Sequence, residues 1–79
     1  MPHVIVKLVA GRTEQQKSRM AEDITKAIMA GAEVGEDAVS VAFEDVAKED
    51  WVETVYKPDI IGKSDTVLKK PGYDPLTTG

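Results

Sequence analysis

Three consecutive segments with different hydrophobic periods constrain this chain more than anything else in it. From His3 to Val9 the residues alternate: Val4, Val6 and Leu8 fall on one face, His3, Ile5 and Lys7 on the other. A period of two with β-branched residues predicts a strand. Ala10, Gly11 and Arg12 make a turn, and Thr13 followed by Gln16 predicts a capping box that opens a helix. Along that helix Met20, Ile24, Ala27 and Ile28 form one apolar stripe, continued by Gly31, while Glu14, Lys17, Ser18, Glu22, Thr25 and Lys26 face away. Glycines at 31 and 35 predict where it stops. From Ala38 to Glu44 the period of two returns, with Val39, Val41 and Phe43 on one face and Ser40, Ala42 and Glu44 on the other. Strand, helix and strand with short links predict a parallel pair joined by a right-handed crossover.

One helix and two strands bury too little surface to stand alone. With 79 residues, the chain makes one domain and needs reinforcement. It has no Cys and one His, which excludes disulfides and leaves no ligand set for a structural zinc. The remaining source of buried surface is another copy. The expected fold is therefore α/β (α+β): a β-α-β unit whose sheet is completed by oligomerisation, followed by short C-terminal helical or strand segments. The single domain spans 1–79, with the β-α-β unit at 1–46, a C-terminal segment at 47–73 and a tail at 74–79. In the C-terminal segment, Glu49 to Tyr56 predicts one or two helical turns broken by Pro58. Asp59 to Ile61 predicts a short strand, and Ser64 to Lys70 a short helix ended by Pro71 and Gly72. The tail from Asp74 is expected to be loose.

Charge narrows the partners. Fourteen acidic against ten basic residues give a formal charge of −4. An acidic chain without an arginine cluster is unsuited to a phosphate backbone, and Lys69-Lys70 is too short a basic run to change that. No apolar run approaches the ~20 residues that span a bilayer. The apolar start is interrupted by Lys7, unlike a signal peptide. The expectation is a cytoplasmic protein with a small-molecule partner, no cofactor and no metal.

Two residues suggest chemistry. Pro2 becomes a secondary amine if Met1 is removed, and a free α-amino group has a pKa of about 7.7–8.0. An apolar site or a nearby cation lowers that value further and suits the amine to general-base work near neutral pH. Arg12 supplies a guanidinium that grips carboxylates through two bonds, beside a glycine that allows close approach. Each has an ordinary alternative: Met-Pro is a common start, and an arginine in a turn is commonly just exposed. Pro2 and Arg12 also lie at opposite ends of the first strand. They meet at one substrate only if a neighbouring chain completes the site or the end of the strand folds over the sheet. Trp51, the single tryptophan, suits either a pocket wall or a packing anchor. His3, Tyr56 and Tyr73 read first as strand and packing residues. Glu22-Asp23, Glu36-Asp37 and Glu49-Asp50 read as solvated surface or helix starts.

Met1-Pro2 opening a strand, Gly11-Arg12, a helix beginning Thr13-Glu14-Gln15-Gln16-Lys17, and a second strand at Val39 to Phe43 together resemble the 4-oxalocrotonate tautomerase family. The spacing from Pro2 to Arg12 equals that family's spacing from catalytic proline to substrate-binding arginine. Lys69-Lys70-Pro71-Gly72-Tyr73 is similar to a bacterial subgroup of small, often dimeric members. The resemblance implies that Pro2 is the base of a cofactor-free enol–keto tautomerase, Arg12 a carboxylate binder and Trp51 a wall of the pocket. It also implies a homo-oligomer, a dimer in preference to a hexamer. Hexameric members carry a second arginine where this chain has Ser40, which offers a hydroxyl without charge. That favours a monoacid with an aromatic or apolar body, a small 2-hydroxy-dienoate or arylenolpyruvate, over a dicarboxylate held at both ends. Two other readings share the same residues: a non-catalytic oligomeric binding protein of this fold, and a related decarboxylase or hydratase.

Overall fold

Strand β1 (His3–Val9) begins two residues into the chain and runs straight to a turn at Gly11. The computed structural model describes residues 1–77. Gly11 adopts φ 130°, a conformation that side-chain-bearing residues rarely take, so glycine is required for this turn. Helix α1 (Glu14–Ala32) follows, and its first turn has the expected capping box. Thr13 Oγ1 accepts from the Gln16 N–H at 3.0 Å, and Gln16 Oε1 accepts from the Thr13 N–H at 2.8 Å. A single 3₁₀ turn at Glu36–Ala38 leads into β2 (Ser40–Val46). The two strands pair in parallel, as the β-α-β pattern requires.

Two features of α1 differ from the pattern read in the sequence. Its half-buried residues are Lys17, Met20, Ala21, Ile24, Thr25, Ile28 and Met29, while Ala27 and Gly31 are exposed. The stripe is rotated by about one position because two polar residues on it have their needs met. The Lys17 ammonium donates to Asp45 Oδ2 at 2.7 Å, and the Thr25 hydroxyl donates to the Ala21 carbonyl at 2.7 Å. Their carbon atoms are then free to cover apolar surface. The helix also ends on a non-glycine: Glu33 takes the left-handed conformation at φ 55°, and Val34 donates to the Met29 carbonyl at 3.2 Å.

The chain divides into two compact units, the first running from Met1 to Asp45 and the second from Val46 onward. In the first, α1 lines hollows with Val39, Val41 and Phe43, so these side chains lie on the helix-covered face of the sheet. Ser40, Ala42 and the β1 residues in register with them lie on the other face, where Ile5 is 50% exposed. None of the described residues of this unit is fully buried.

The second unit opens with a 3₁₀ turn at Lys48–Asp50, which passes through Trp51 into a wide π-type helix, Val52–Ile61. Pro58 lies inside that helix and does not end it, and residues 59–61 form its last turn and not a strand. In an α-helix the proline ring would collide with the carbonyl four residues earlier. The wider winding draws its bonds from five residues earlier and relieves the collision. Gly62 closes it, donating to the Lys57 carbonyl at 2.8 Å. The helical stretch after it is one turn, Ser64–Thr66, and does not reach Lys70. Residues 74–77 form a turn in which Asp74 Oδ1 accepts from the Leu76 N–H at 3.0 Å. The expectation of a loose tail at residues 78 and 79 lies outside the described residues. Among the described residues, the buried apolar ones are Val46, Val55 and Tyr56, all in this unit.

Candidate active site

Pro2 is half-buried at the head of β1. Its carbonyl accepts from the Ser40 N–H at 3.2 Å, so the first residue of β2 fixes the entry to β1. Ser40 contributes its side chain as well: Ser40 Oγ and His3 Nδ1 are hydrogen-bonded at 2.6 Å. The register of the two strands thus brings Pro2, His3 and Ser40 together. Met1 is fully exposed, at 102% of its reference area.

Arg12 lies beyond the far end of β1. Seven strand residues separate it from Pro2, about 20 Å at ~3.3 Å per residue. One chain does not bring the two together. Arg12 folds back on its own strand, with Nη1 donating to the Val9 carbonyl at 3.1 Å. That bond fixes the stem of the guanidinium and leaves its other N–H groups for a ligand. Beside it is an open hollow of about 470 Å³ lined by Arg12, Thr13, Gln15, Gln16, Arg19 and Met20. Arg19 also pairs with Asp23 at 3.5 Å, one turn along the helix.

Trp51 belongs to the second unit and is half-buried. Its indole Nε1 donates to the Tyr73 hydroxyl at 2.9 Å. The Tyr73 ring lies 5.7 Å from that of Tyr56, tilted by 39°. Burial, and then the Asp74 carboxylate, raise the Tyr56 pKa above its ordinary value. A cavity of about 330 Å³ lies against this cluster, with Ile60, Val67 and Pro71 among its apolar walls.

Two of these links were not legible as site features in the sequence. Nothing local connects His3 to Ser40, 37 residues apart. Their contact follows only once β2 is placed in register with Pro2. Tyr73 meets Trp51 across 22 residues with no shared period; the one hint is the Pro71-Gly72 turn, which brings the chain back.

The family model described as "Tautomerase enzyme" matches residues 2–55. A "Probable tautomerase" of Xylella fastidiosa is 41% identical over 78 residues, covering 99% of this chain and 95% of that protein. "Tautomerase PptA" of Pectobacterium atrosepticum is 38% identical over 74 residues, covering 92% and 97%. Among solved structures, a 4-oxalocrotonate tautomerase isozyme from Methylibium petroleiphilum aligns with a TM-score of 0.62 and 38% identity over 63% of this chain and 81% of its own. TomN, a 4-oxalocrotonate tautomerase homologue of the tomaymycin biosynthetic pathway, aligns with the same TM-score and 30% identity, over 63% and 77%.

Proposed function

This chain belongs to the tautomerase family, and from that premise we propose that it moves a proton between the enol and keto forms of a small 2-hydroxy-dienoate or arylenolpyruvate acid, with the Pro2 amine as base. The neutral secondary amine, freed by removal of Met1, takes the proton from the enol hydroxyl. The same proton is then delivered to carbon, so the electron pair of the C=C bond forms the new C–H bond and the oxygen becomes a carbonyl. No cofactor is needed, because acid and base are one group used twice. Arg12 holds the substrate carboxylate and stabilises negative charge that spreads into the conjugated system. Ser40 offers a hydroxyl to the substrate, and Trp51 offers an apolar wall to its body.

The observation that carries this reading is the placement of Pro2. It is the first residue matched by the family model, it is pinned by the Ser40 N–H, and the neighbouring Met1 is exposed. With Pro2 and Arg12 at opposite ends of β1, one substrate engages both only across two copies of the chain. A homo-oligomer, a dimer in preference to a hexamer, supplies this arrangement. It also covers the apolar residues that the first unit leaves half-exposed. The function is cytoplasmic, on a soluble acid; among the described residues no helix is long and apolar enough to cross a membrane.

The test is ketonisation of phenylenolpyruvate by protein whose processed N-terminus has been verified by mass, beside Pro2→Ala. Collapse of activity in the variant supports Pro2 as the base. Equal activity in both, or none in the correctly processed chain, removes this mechanism and favours a binding protein of the same fold. Release of carbon dioxide or uptake of water in place of proton exchange would identify a decarboxylase or hydratase.

A further inference from the structure

We propose that Tyr73 is a positioning residue for Trp51, so that the C-terminal segment sets the preference of the site for an aromatic or apolar substrate body. The inference rests on the reading of Trp51 as a wall of the substrate pocket.

An indole has one hydrogen-bond donor and no acceptor. In this chain that donor is engaged, at 2.9 Å from the Tyr73 oxygen. Trp51 therefore offers a substrate its ring surface and no hydrogen bond, which favours a flat apolar body over a second polar group. The same bond limits how far the indole can swing. A large ring on two rotatable bonds, fixed at its far end, loses little further freedom when a ligand settles against it.

Tyr73 is suited to this task because it is itself held from behind. Its ring rests 5.7 Å from that of Tyr56, which is 5% exposed and among the few buried side chains described. Tyr73 is followed by Asp74, whose carboxylate accepts from the Leu76 N–H and so fixes the turn just beyond it. A continuous set of contacts thus leads from a buried side chain through Tyr73 to the indole. Tyr73 is also 48% exposed. A residue serving only to fill the core would be covered more completely. Its hydroxyl, which accepts from the single tryptophan, is better explained as a support for that ring.

The experiment is a double-mutant cycle on Tyr73→Phe and Trp51→Phe in the processed full-length protein, with phenylenolpyruvate as substrate. Tyr73→Phe keeps the ring against Tyr56 and removes only the acceptor. Its KM is expected to rise roughly three- to tenfold, the loss of one hydrogen bond, with kcat within about twofold. In the Trp51→Phe background the same change should have no further effect on KM. Because Trp51 is the single tryptophan, its fluorescence gives an independent readout: Tyr73→Phe should increase quenching by acrylamide with little change in melting temperature. Three results would overturn the proposal. They are an unchanged KM in Tyr73→Phe where Trp51→Phe raises it, an equal effect of Tyr73→Phe in both backgrounds, and unchanged quenching. If Trp51→Phe itself leaves KM untouched, the pocket-wall reading of Trp51 fails and this inference fails with it, while the Pro2→Ala result stands separately.

Discussion

The two units of this chain present opposite problems. The first, Met1 to Asp45, is patterned so clearly that both strands, the helix and its cap can be read from residue spacing, yet it contains no fully buried residue among those described. The second, from Val46, has weak periodicity, one π-type helix with a proline inside it, and the described buried residues Val46, Val55 and Tyr56. Strong periodicity declares which face of an element is apolar; it does not say that the same chain covers that face. In the second unit the buried residues are two valines and a tyrosine, placed where the sequence shows no clear period.

The largest effect should come from the first unit, where the proposed chemistry depends on charge. Arg12→Ala is expected to lower kcat/KM for phenylenolpyruvate by about 10²-fold, the usual loss when a donor to developing negative charge is removed. Arg12→Lys should recover only part of it, since an ammonium keeps the charge but not the planar fork. The contrast with the second unit is the point, because Tyr73→Phe is expected to cost less than tenfold. Steady-state kinetics on the three variants measures it. Near-normal kcat/KM in Arg12→Ala would place the carboxylate on another cation, with Arg19 in the same hollow the first to test.

A structural change in the second unit comes next. A Cβ added at Gly62 would stand 2.6 Å from the Pro58 carbonyl oxygen and 3.1 Å from that of Lys57, both backbone atoms that cannot swing aside. Gly62→Ala should therefore destabilise by about 2 kcal/mol, within the range for overpacked sites. The first unit offers the control. At Gly11 an added Cβ meets nothing within 4 Å, so any loss in Gly11→Ala comes from its φ of 130° alone. Thermal melts of the two variants separate a collision from a backbone preference. Equal tolerance of alanine at Gly62 would show that the end of the π-type helix can relax.

What was legible in the sequence follows the same division. His3–Val9 was readable as a strand to the residue, and Thr13 with Gln16 as a cap, because both are local. Alternation predicts the second strand at Ala38–Glu44, two residues before the observed Ser40–Val46, because a 3₁₀ turn at Glu36–Ala38 takes up its apparent start. Polarity does not mean exposure along the helix: Lys17 and Thr25 lie on the covered side because Asp45 and the Ala21 carbonyl satisfy them. Pro58 predicts a break by a rule that holds for α-helices and not for the wider helix found. Of the candidate site residues, Pro2, Arg12, Ser40 and Trp51 could each be named from spacing and resemblance. The bonds that hold Ser40 to His3 and Trp51 to Tyr73 could not, since both depend on tertiary register.

A stabilising substitution tests the non-glycine end of α1, one of the first unit's departures from its own pattern. Glu33 holds a left-handed conformation at the end of α1, which disfavours a side chain by about 1–2 kcal/mol relative to glycine. Glu33→Gly should recover about 1 kcal/mol, after the greater entropy of glycine in the unfolded chain is subtracted. For a domain of this size that is a rise in melting temperature of about 4–8 °C. A fall would mean that the Glu33 side chain makes a stabilising contact outweighing its backbone strain.

The smallest expected effect is alkaline, and it distinguishes the units by cause. Lys17 has its pKa raised above 10.5, chiefly by its hydrogen bond to Asp45, with burial acting the other way. Tyr56 has its pKa raised above 10.0, chiefly by burial and then by Asp74. Both groups bind their protons more tightly in the folded chain than in the unfolded one. The associated stability is therefore fully present below the unfolded values and lost as pH rises through the folded ones. Melting temperature should be flat in this respect up to about pH 10 and decline above it. Asp45→Asn should remove the part of the decline due to Lys17, and Tyr56→Phe the part due to burial of a phenol in the second unit. The Lys17 part should be the smaller and should shrink in high salt, because an ion pair with an exposed partner is screened. A decline that persists unchanged in both variants would assign alkaline unfolding to other groups, and would separate the pH response from the contrast between a charged first unit and an aromatic second one.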